Sequence, residues 1–394
     1  MRFSTRIPPE LESNRLALAL AQRRDEGQTI LDLTGSNPTR AAFTYPPDLL
    51  APLADARGLA YRPEPFGCLD AREAVAEDFA RRGMHVSPAH IALTASTSEA
   101  YSLLFKVLCD PGDEVLVPQP SYPLFEHLTR LDGVSSVAYR LEYHGRWSVD
   151  LSSVERALTP ATRALLVVSP NNPTGNFVSQ PDLDALAGLC APRDIAVISD
   201  EVFADYQLDD DRRVARGVLL DRTDVLGFTL GGLSKSVGLP QVKLGWIAVS
   251  GGNALVNATL ARLELACDTY LSVSTPVQLA AREILNRGAD IRRQILARVR
   301  ENLARCATLV AARPACTLLH AEGGWSAVVQ VPTFEPEEEL MLALLSERSV
   351  LVHPGYFFDF PRESFVILSL LTPPDTFAEG LARVLDRFGT DTRL

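Results

Sequence analysis

The chain has 394 residues, 46% of them hydrophobic, and a net charge of −11, so it can bury a large core and has room for one large domain and a smaller one. Its charges fall in short mixed clusters, such as Glu73, Glu77 and Asp78 followed by Arg81 and Arg82, with no basic stripe to track a phosphate backbone, and nucleic acid is excluded as an expected partner. No stretch reaches the roughly 18 apolar residues of a membrane span, Met1 to Glu10 has no apolar leader core, and the six cysteines and six histidines form neither Cys-x-x-Cys nor His-Glu-x-x-His; a soluble, cytoplasmic protein without metal or membrane partner is expected.

From about residue 68 to 250, helical periodicity alternates with short β-branched runs, the pattern of βα units around a parallel sheet. The expected strands are 91–93, 114–117, 134–141, 163–168, 195–199, 225–230 and 244–249, with helices beginning near Asp70, Thr97, Tyr122, Leu151 and Pro181. After Gly252 the chain turns helix-rich over 254–266, 276–285 and 291–310. Strands at 327–331, 350–352 and 365–368 then mix with helices at 337–345 and 375–388. The fold class is therefore α/β, a mostly parallel sheet flanked by helices, with a smaller α+β C-terminal domain. The large domain is placed at 46–290; residues 1–45, an N-terminal arm, join 291–394 in the small one.

Ligands of open α/β sheets sit at the carboxyl ends of strands, so the polar residues just after each strand carry the information. The first strand runs into Ser96-Thr97-Ser98-Glu99, where Ser96 and Glu99 have capping-box spacing. Free amides and hydroxyls there would bind a phosphate, although an ordinary helix cap reads the same way. The 163–168 strand leads into Asn171-Asn172-Pro173-Thr174-Gly175, a constrained loop whose asparagines can donate to an oxygen anion. The 195–199 strand delivers Asp200 and Glu201, which could equally start a helix. The 225–230 strand passes through Gly231 and Gly232 to Ser234 and Lys235, a lysine in a small apolar loop, where a surface role is the plain alternative. Phosphate donors, an asparagine, an aspartate and a lysine on neighbouring strand ends are what a pyridoxal 5'-phosphate (PLP) site requires.

The sequence also resembles the class I and II aminotransferases of fold type I over roughly residues 30–390. The resemblance rests on Tyr61 with Gly67, Thr94 to Ala100, Pro111 to Val115 with Pro120-Ser121-Tyr122, Asn171 to Gly175, Asp200 to Phe203, and Ser234-Lys235 with Lys243-Leu244-Gly245. It implies that Lys235 forms the Schiff base with PLP and shuttles the proton, that Asp200 pairs with the pyridine nitrogen, that Tyr122 stacks on the ring, and that Asn172 donates to the phenolate oxygen. Ser96, Thr97, Ser98, Ser234 and Lys243 would hold the phosphate. Tyr61 would reach the phosphate of a second subunit, which implies a homodimer with shared active sites. The Asn172–Pro173 bond, with Gln119–Pro120 as a second candidate, is expected to be cis.

Three departures bear on function. Lys243 stands where the family usually has arginine and lacks its bidentate fork. Phe203 replaces the tyrosine that donates to the phenolate oxygen, and Tyr206 does not have the spacing to stand in for it. Ile367 aligns with the arginine that clamps the substrate carboxylate, leaving Arg40, Lys106, Arg262 and Arg362 as unranked cations, and Trp325 as either a substrate-facing or a core residue. The activity implied is an aminotransferase, exchanging an amino group between an amino acid or amine and a 2-oxo acid. A PLP-dependent lyase acting by β- or γ-elimination is the alternative; a PLP-binding regulator fused to a DNA-binding unit is disfavoured, since little chain precedes Tyr61.

Overall fold

The computed structural model describes residues 3–8, 12–209 and 216–388. At its centre is an eight-stranded sheet with spatial order Ile91–Thr94, Gly245–Ser250, Gly227–Gly232, Ala196–Asp200, Thr162–Val168, Glu114–Gln119, Ser135–Tyr143 and Trp147–Val149. All are parallel except Gly245–Ser250, antiparallel to both neighbours, and the edge strand Trp147–Val149. Hydrophobic periodicity carries no strand direction, which is why these reversals were not foreseen. The central strands read as unbroken apolar runs because helices cover both faces: every residue of Ala196–Asp200, Gly227–Gly232 and Gly245–Ser250 is buried.

The flanking helices bury one stripe each. Leu69–Arg81 places Ala71, Val75 and Phe79 at four-residue intervals, all buried, on a single helical face. The helix expected from Tyr122 starts instead at Phe125. Pro123 interrupts the approach, and the Ser121 amide is committed to the Phe358 carbonyl at 3.0 Å, so the chain enters the helix only after this loop.

The C-terminal part builds a four-stranded antiparallel sheet in the order Thr317–Leu318, Ser326–Gln330, Phe365–Ser369, His353–Pro354. The long helix Ala289–Ala311 and helices Glu337–Arg348 and Pro374–Asp386 pack beside it. Two N-terminal elements that the sequence pattern does not resolve join this part. Helix Arg15–Asp25 packs on Glu337–Arg348, with Arg15 reaching Glu338 at 2.8 Å and Glu339 at 2.7 Å. The two-residue strand Leu31–Asp32 pairs in parallel with Val350–Leu351. This pairing sets the loop Thr34–Ser36 beside the carboxyl end of the main sheet. No helix among the described residues is long and apolar enough to cross a membrane.

Candidate active site

The carboxyl ends of the parallel strands open onto a cavity of about 290 Å3. Register brings its floor together: Asp200 lies opposite Val168 on one side and Leu230 on the other, and Gly232 lies opposite Gly245, which in turn faces Thr94. Gly231 is required by close approach, since a Cβ there would meet the Trp246 indole nitrogen at 2.5 Å. Ser96, Thr97, Ser98, Tyr122, Asn172, Asp200, Ser234 and Lys235 all line this one cavity.

Ser96 caps the helix Thr97–Leu108: its hydroxyl accepts from the Glu99 amide at 3.2 Å, while the Glu99 carboxylate accepts from the Ala95 amide at 2.6 Å. The capping reading of Ser96 is thus correct, and the first helical amides lie beside the hydroxyls of Thr97 and Ser98 at the cavity. Of the two asparagines, Asn171 is structural. It donates to the Pro120 carbonyl at 3.0 Å and to Thr174 at 2.7 Å, and accepts from Ser121 at 2.8 Å. Asn172 faces the cavity, within 3.3 Å of the Ser326 hydroxyl. Its loop is clamped to the C-terminal part through the Gly175 carbonyl, which accepts from the amides of Glu322 at 3.0 Å and Gly323 at 2.8 Å. The bonds preceding Pro120, Pro170 and Pro173 are cis; the first and last were expected, the middle one was not.

The two acidic residues at the end of the Ala196 strand divide likewise. Glu201 is tied to Arg82 at 3.2 Å. Asp200 accepts from the Tyr101 hydroxyl at 2.7 Å and from the Val202 amide at 3.1 Å. Burial pushes its carboxyl above the ordinary range, against the pull of Tyr101, Val202 and the Lys235 charge. Tyr101 went unnoticed in the sequence, though it lies one helical turn after Thr97 and therefore on the same face.

The Lys235 amine makes no hydrogen bond or ion pair among the described residues. Its amine sits 5.1 Å from the ring centre of Trp325 and 5.5 Å from that of Phe203, and burial pulls its pKa down against the Asp200 charge. A buried ammonium without a counter-ion is costly, so burial shifts the amine towards its neutral, nucleophilic form. Tyr206 does not take over the missing tyrosine's role: its hydroxyl donates to the Lys235 carbonyl at 2.5 Å, away from the amine.

Two expected residues stand apart. Lys243 is exposed, in left-handed conformation with φ 61°, and does not line the cavity. Tyr61 is 76% exposed and lines a separate groove with Leu271 and Ser272. Neither do Arg40, Lys106, Arg262 and Arg362 line the cavity; Lys106 is paired with Asp132, and Arg262 donates to the Ala258 carbonyl at 2.7 Å on its own helix. Ile367 and Trp325 do line it, together with Thr34, Ser36, His353, Phe357 and Phe358, residues whose contribution sequence reasoning missed. Trp325 is both wall and core, 4% exposed, with an indole N–H that has no partner. Burial pushes the His353 imidazole below its ordinary value. Lys235 is thus the only lysine or arginine among the described lining residues.

The sequence matches the profile of "Aminotransferase class I and II" over residues 30–384. The chain belongs to that family. It is 28% identical over 384 residues to the alanine aminotransferase of Mycobacterium tuberculosis, covering 94% of this chain and 87% of that protein. It is 26% identical to the glutamate-pyruvate aminotransferase AlaA of Escherichia coli, over 93% and 91% of the two chains. The solved structure of an alanine aminotransferase from Pyrococcus furiosus superposes with a TM-score of 0.87 at 24% identity, over 98% of this chain and 99% of that one. PLP is the cofactor of this family, and the residues of this aminotransferase fit it on independent grounds. An unpaired buried amine, a buried carboxylate short of a cation and a helix N-terminus with free donors face one cavity.

Proposed function

We propose that this aminotransferase binds PLP on Lys235 and moves an amino group between an amino acid with an uncharged side chain and a 2-oxo acid. The observation that carries the reading is the Lys235 amine, held without a counter-ion in the same cavity as Asp200. Bound there, PLP supplies an electron sink for the carbon that bears the amino group. Asp200 would hold the pyridine nitrogen, and Tyr101 and Val202 fix the carboxylate for that task. Thr97, Ser98 and Ser234 would hold the phosphate. Tyr122 would cover the ring face and Asn172 would donate to the ring oxygen. The Lys235 amine, once free, is the base that takes the proton from the substrate carbon and returns it on the other side of the exchange. Phe203 and Trp325 keep water from that amine.

The substrate preference follows from the wall. Ile367, Phe357, Phe358 and Leu128 line it without an arginine, so within one chain a carboxylate finds only neutral donors such as Ser36 and Asn172, and a second acidic group on the substrate finds no cation. Alanine is the first donor to test, since relatives carry that name. We further propose a homodimer. Tyr61 lies against the end of helix Asn253–Tyr270, where Leu265 and Tyr270 are also exposed, an apolar surface suited to a second copy that would bring Tyr61 to the neighbouring site. A division near residue 290, where the long helix begins, and a cytoplasmic location in keeping with six unpaired cysteines complete the reading. Purified enzyme mixed with single amino acids, followed by absorption, tests it: formation of pyridoxamine phosphate and a 2-oxo acid supports transamination, whereas release of ammonia with pyruvate would refute it.

A further inference from the structure

We propose that Tyr206 and Arg292 are positioning residues for Lys235, gripping from behind the single helical turn that carries it; this rests on the reading of Lys235 as the cofactor lysine. The turn Leu233–Ser236 is only four residues long; the Gly238 and Leu239 amides donate to the Lys235 and Leu233 carbonyls at 3.2 and 3.0 Å, and two side chains add further bonds from behind. The Tyr206 hydroxyl donates to the Lys235 carbonyl at 2.5 Å and lies 3.3 Å from that of Ser236. The Arg292 Nε donates to the Ser236 carbonyl at 3.0 Å, a charge-assisted bond. The Ser236 hydroxyl closes the turn internally, donating to the Gly232 carbonyl at 3.0 Å.

Arg292 is itself flanked by carboxylates. Its guanidinium lies 3.6 Å from Asp78 and 3.5 Å from Asp205, and Arg81 bridges the same two carboxylates at 3.0 and 2.6 Å. Asp78 and Asp205 side chains are each only 6% exposed, so little water screens the network. Three segments meet there: helix Leu69–Arg81, the loop after Asp200, and helix Ala289–Ala311. The network ends on the backbone of the lysine turn. Tyr206 adds a second hold, for its ring packs edge-on against Trp325 at 5.1 Å, and Trp325 walls the lysine amine. Tyr206 does not line the cavity. It therefore acts through Lys235 and its aromatic wall, not on substrate. A lysine that must serve first as anchor and then as base needs a backbone that stays in place while its side chain swings, and misplacement by about 1 Å can cost on the order of 100-fold in rate.

Tyr206→Phe keeps the ring and its contact with Trp325 and deletes only the hydroxyl. In the PLP-loaded enzyme its kcat is expected to fall about tenfold with KM within about twofold. The pH midpoint of the visible absorption of the bound cofactor should move as well. Arg292→Lys, which keeps the charge but not the fork, should change both in the same direction. Leu186→Ala, a core truncation in helix Gln180–Cys190, serves as the control and should lower Tm while leaving kcat and the midpoint alone. An intact visible band with unchanged kcat and midpoint in Tyr206→Phe overturns the proposal, and so does an equal change of both in Leu186→Ala. Absence of the band from the wild-type enzyme would instead overturn the reading of Lys235, and this proposal with it.

Discussion

Phe203→Tyr tests how this site sets the acidity of its lysine–cofactor linkage. Phe203 lies three residues past Asp200, is 9% exposed, and packs edge-on to Trp325 at 5.2 Å, with its ring centre 5.5 Å from the Lys235 amine. It lines the cavity, so a para hydroxyl has space to enter as a donor. If that hydroxyl donates to the cofactor's ring oxygen, it favours the form in which the oxygen carries more negative charge, which is the form that has lost the linkage proton. The midpoint must then move towards acid. A hydrogen bond to a charged group contributes about 1.5 to 3 kcal/mol, or roughly one to two pKa units. Tyr206 supplies no part of this, since its hydroxyl is committed to the Lys235 carbonyl. Visible absorption against pH, for the wild type and the variant under one buffer series, gives the two midpoints. A midpoint unchanged or raised, in a variant whose tyrosine hydroxyl is seen at about 3 Å from the ring oxygen, would refute the reasoning.

Lys235→Ala should lose both the visible band and turnover; a retained band would place the cofactor on another amine. Asp200→Asn should lower kcat by about 100-fold or more, measured in the same absorbance assay. The same substitution has an opposite effect on the cofactor-free chain. Burial raises the Asp200 carboxyl, so its contribution to stability is full below the unfolded pKa and is lost as pH rises through the folded one. Removing the charge should therefore leave Tm less dependent on pH between acid and neutral conditions, a difference readable by scanning calorimetry. Removing PLP from the wild type should lower Tm, since cofactor at 100 times its Kd contributes about 2.7 kcal/mol, and the gap should shrink in Lys235→Ala.

The central sheet and the part of the cavity at its strand ends were legible because one rule connects them. Apolar runs mark strands, and the polar residue that ends each run is delivered to a common edge. Thus Ser96, Asn172, Asp200 and Lys235 could be named before any contact was known. Residues that act through tertiary contacts obey no such rule. Tyr101 reaches Asp200 across 99 residues, Arg292 reaches Ser236 across 56, and nothing local distinguishes either from other helix residues. The Asp78–Arg81 pair, at helical spacing, reads as an ordinary surface ion pair until Arg292 and Asp205 close on it.

The opposite wall of the cavity was illegible for a different reason. Its wall comes from short irregular segments, Thr34–Ser36, His353 and Phe357–Phe358, which the pairing of Leu31–Asp32 with Val350–Leu351 carries to the cavity. Two-residue strands have no periodicity to detect. Ile367 could be flagged only by resemblance, and register now shows what the exchange does. It pairs with Val328 on one side and His353 on the other and is 1% exposed among buried apolar neighbours that include Leu319 and Phe358. A guanidinium at this position would have to find room among these buried apolar neighbours before it could reach the cavity. Restoring arginine at 367 alone should therefore destabilise the fold by overpacking, about 1 to 3 kcal/mol, before it could improve binding of acidic substrates. Under the proposed reading, selectivity at this wall would come from shape and from the neutral donors, hence the expected uncharged side chain.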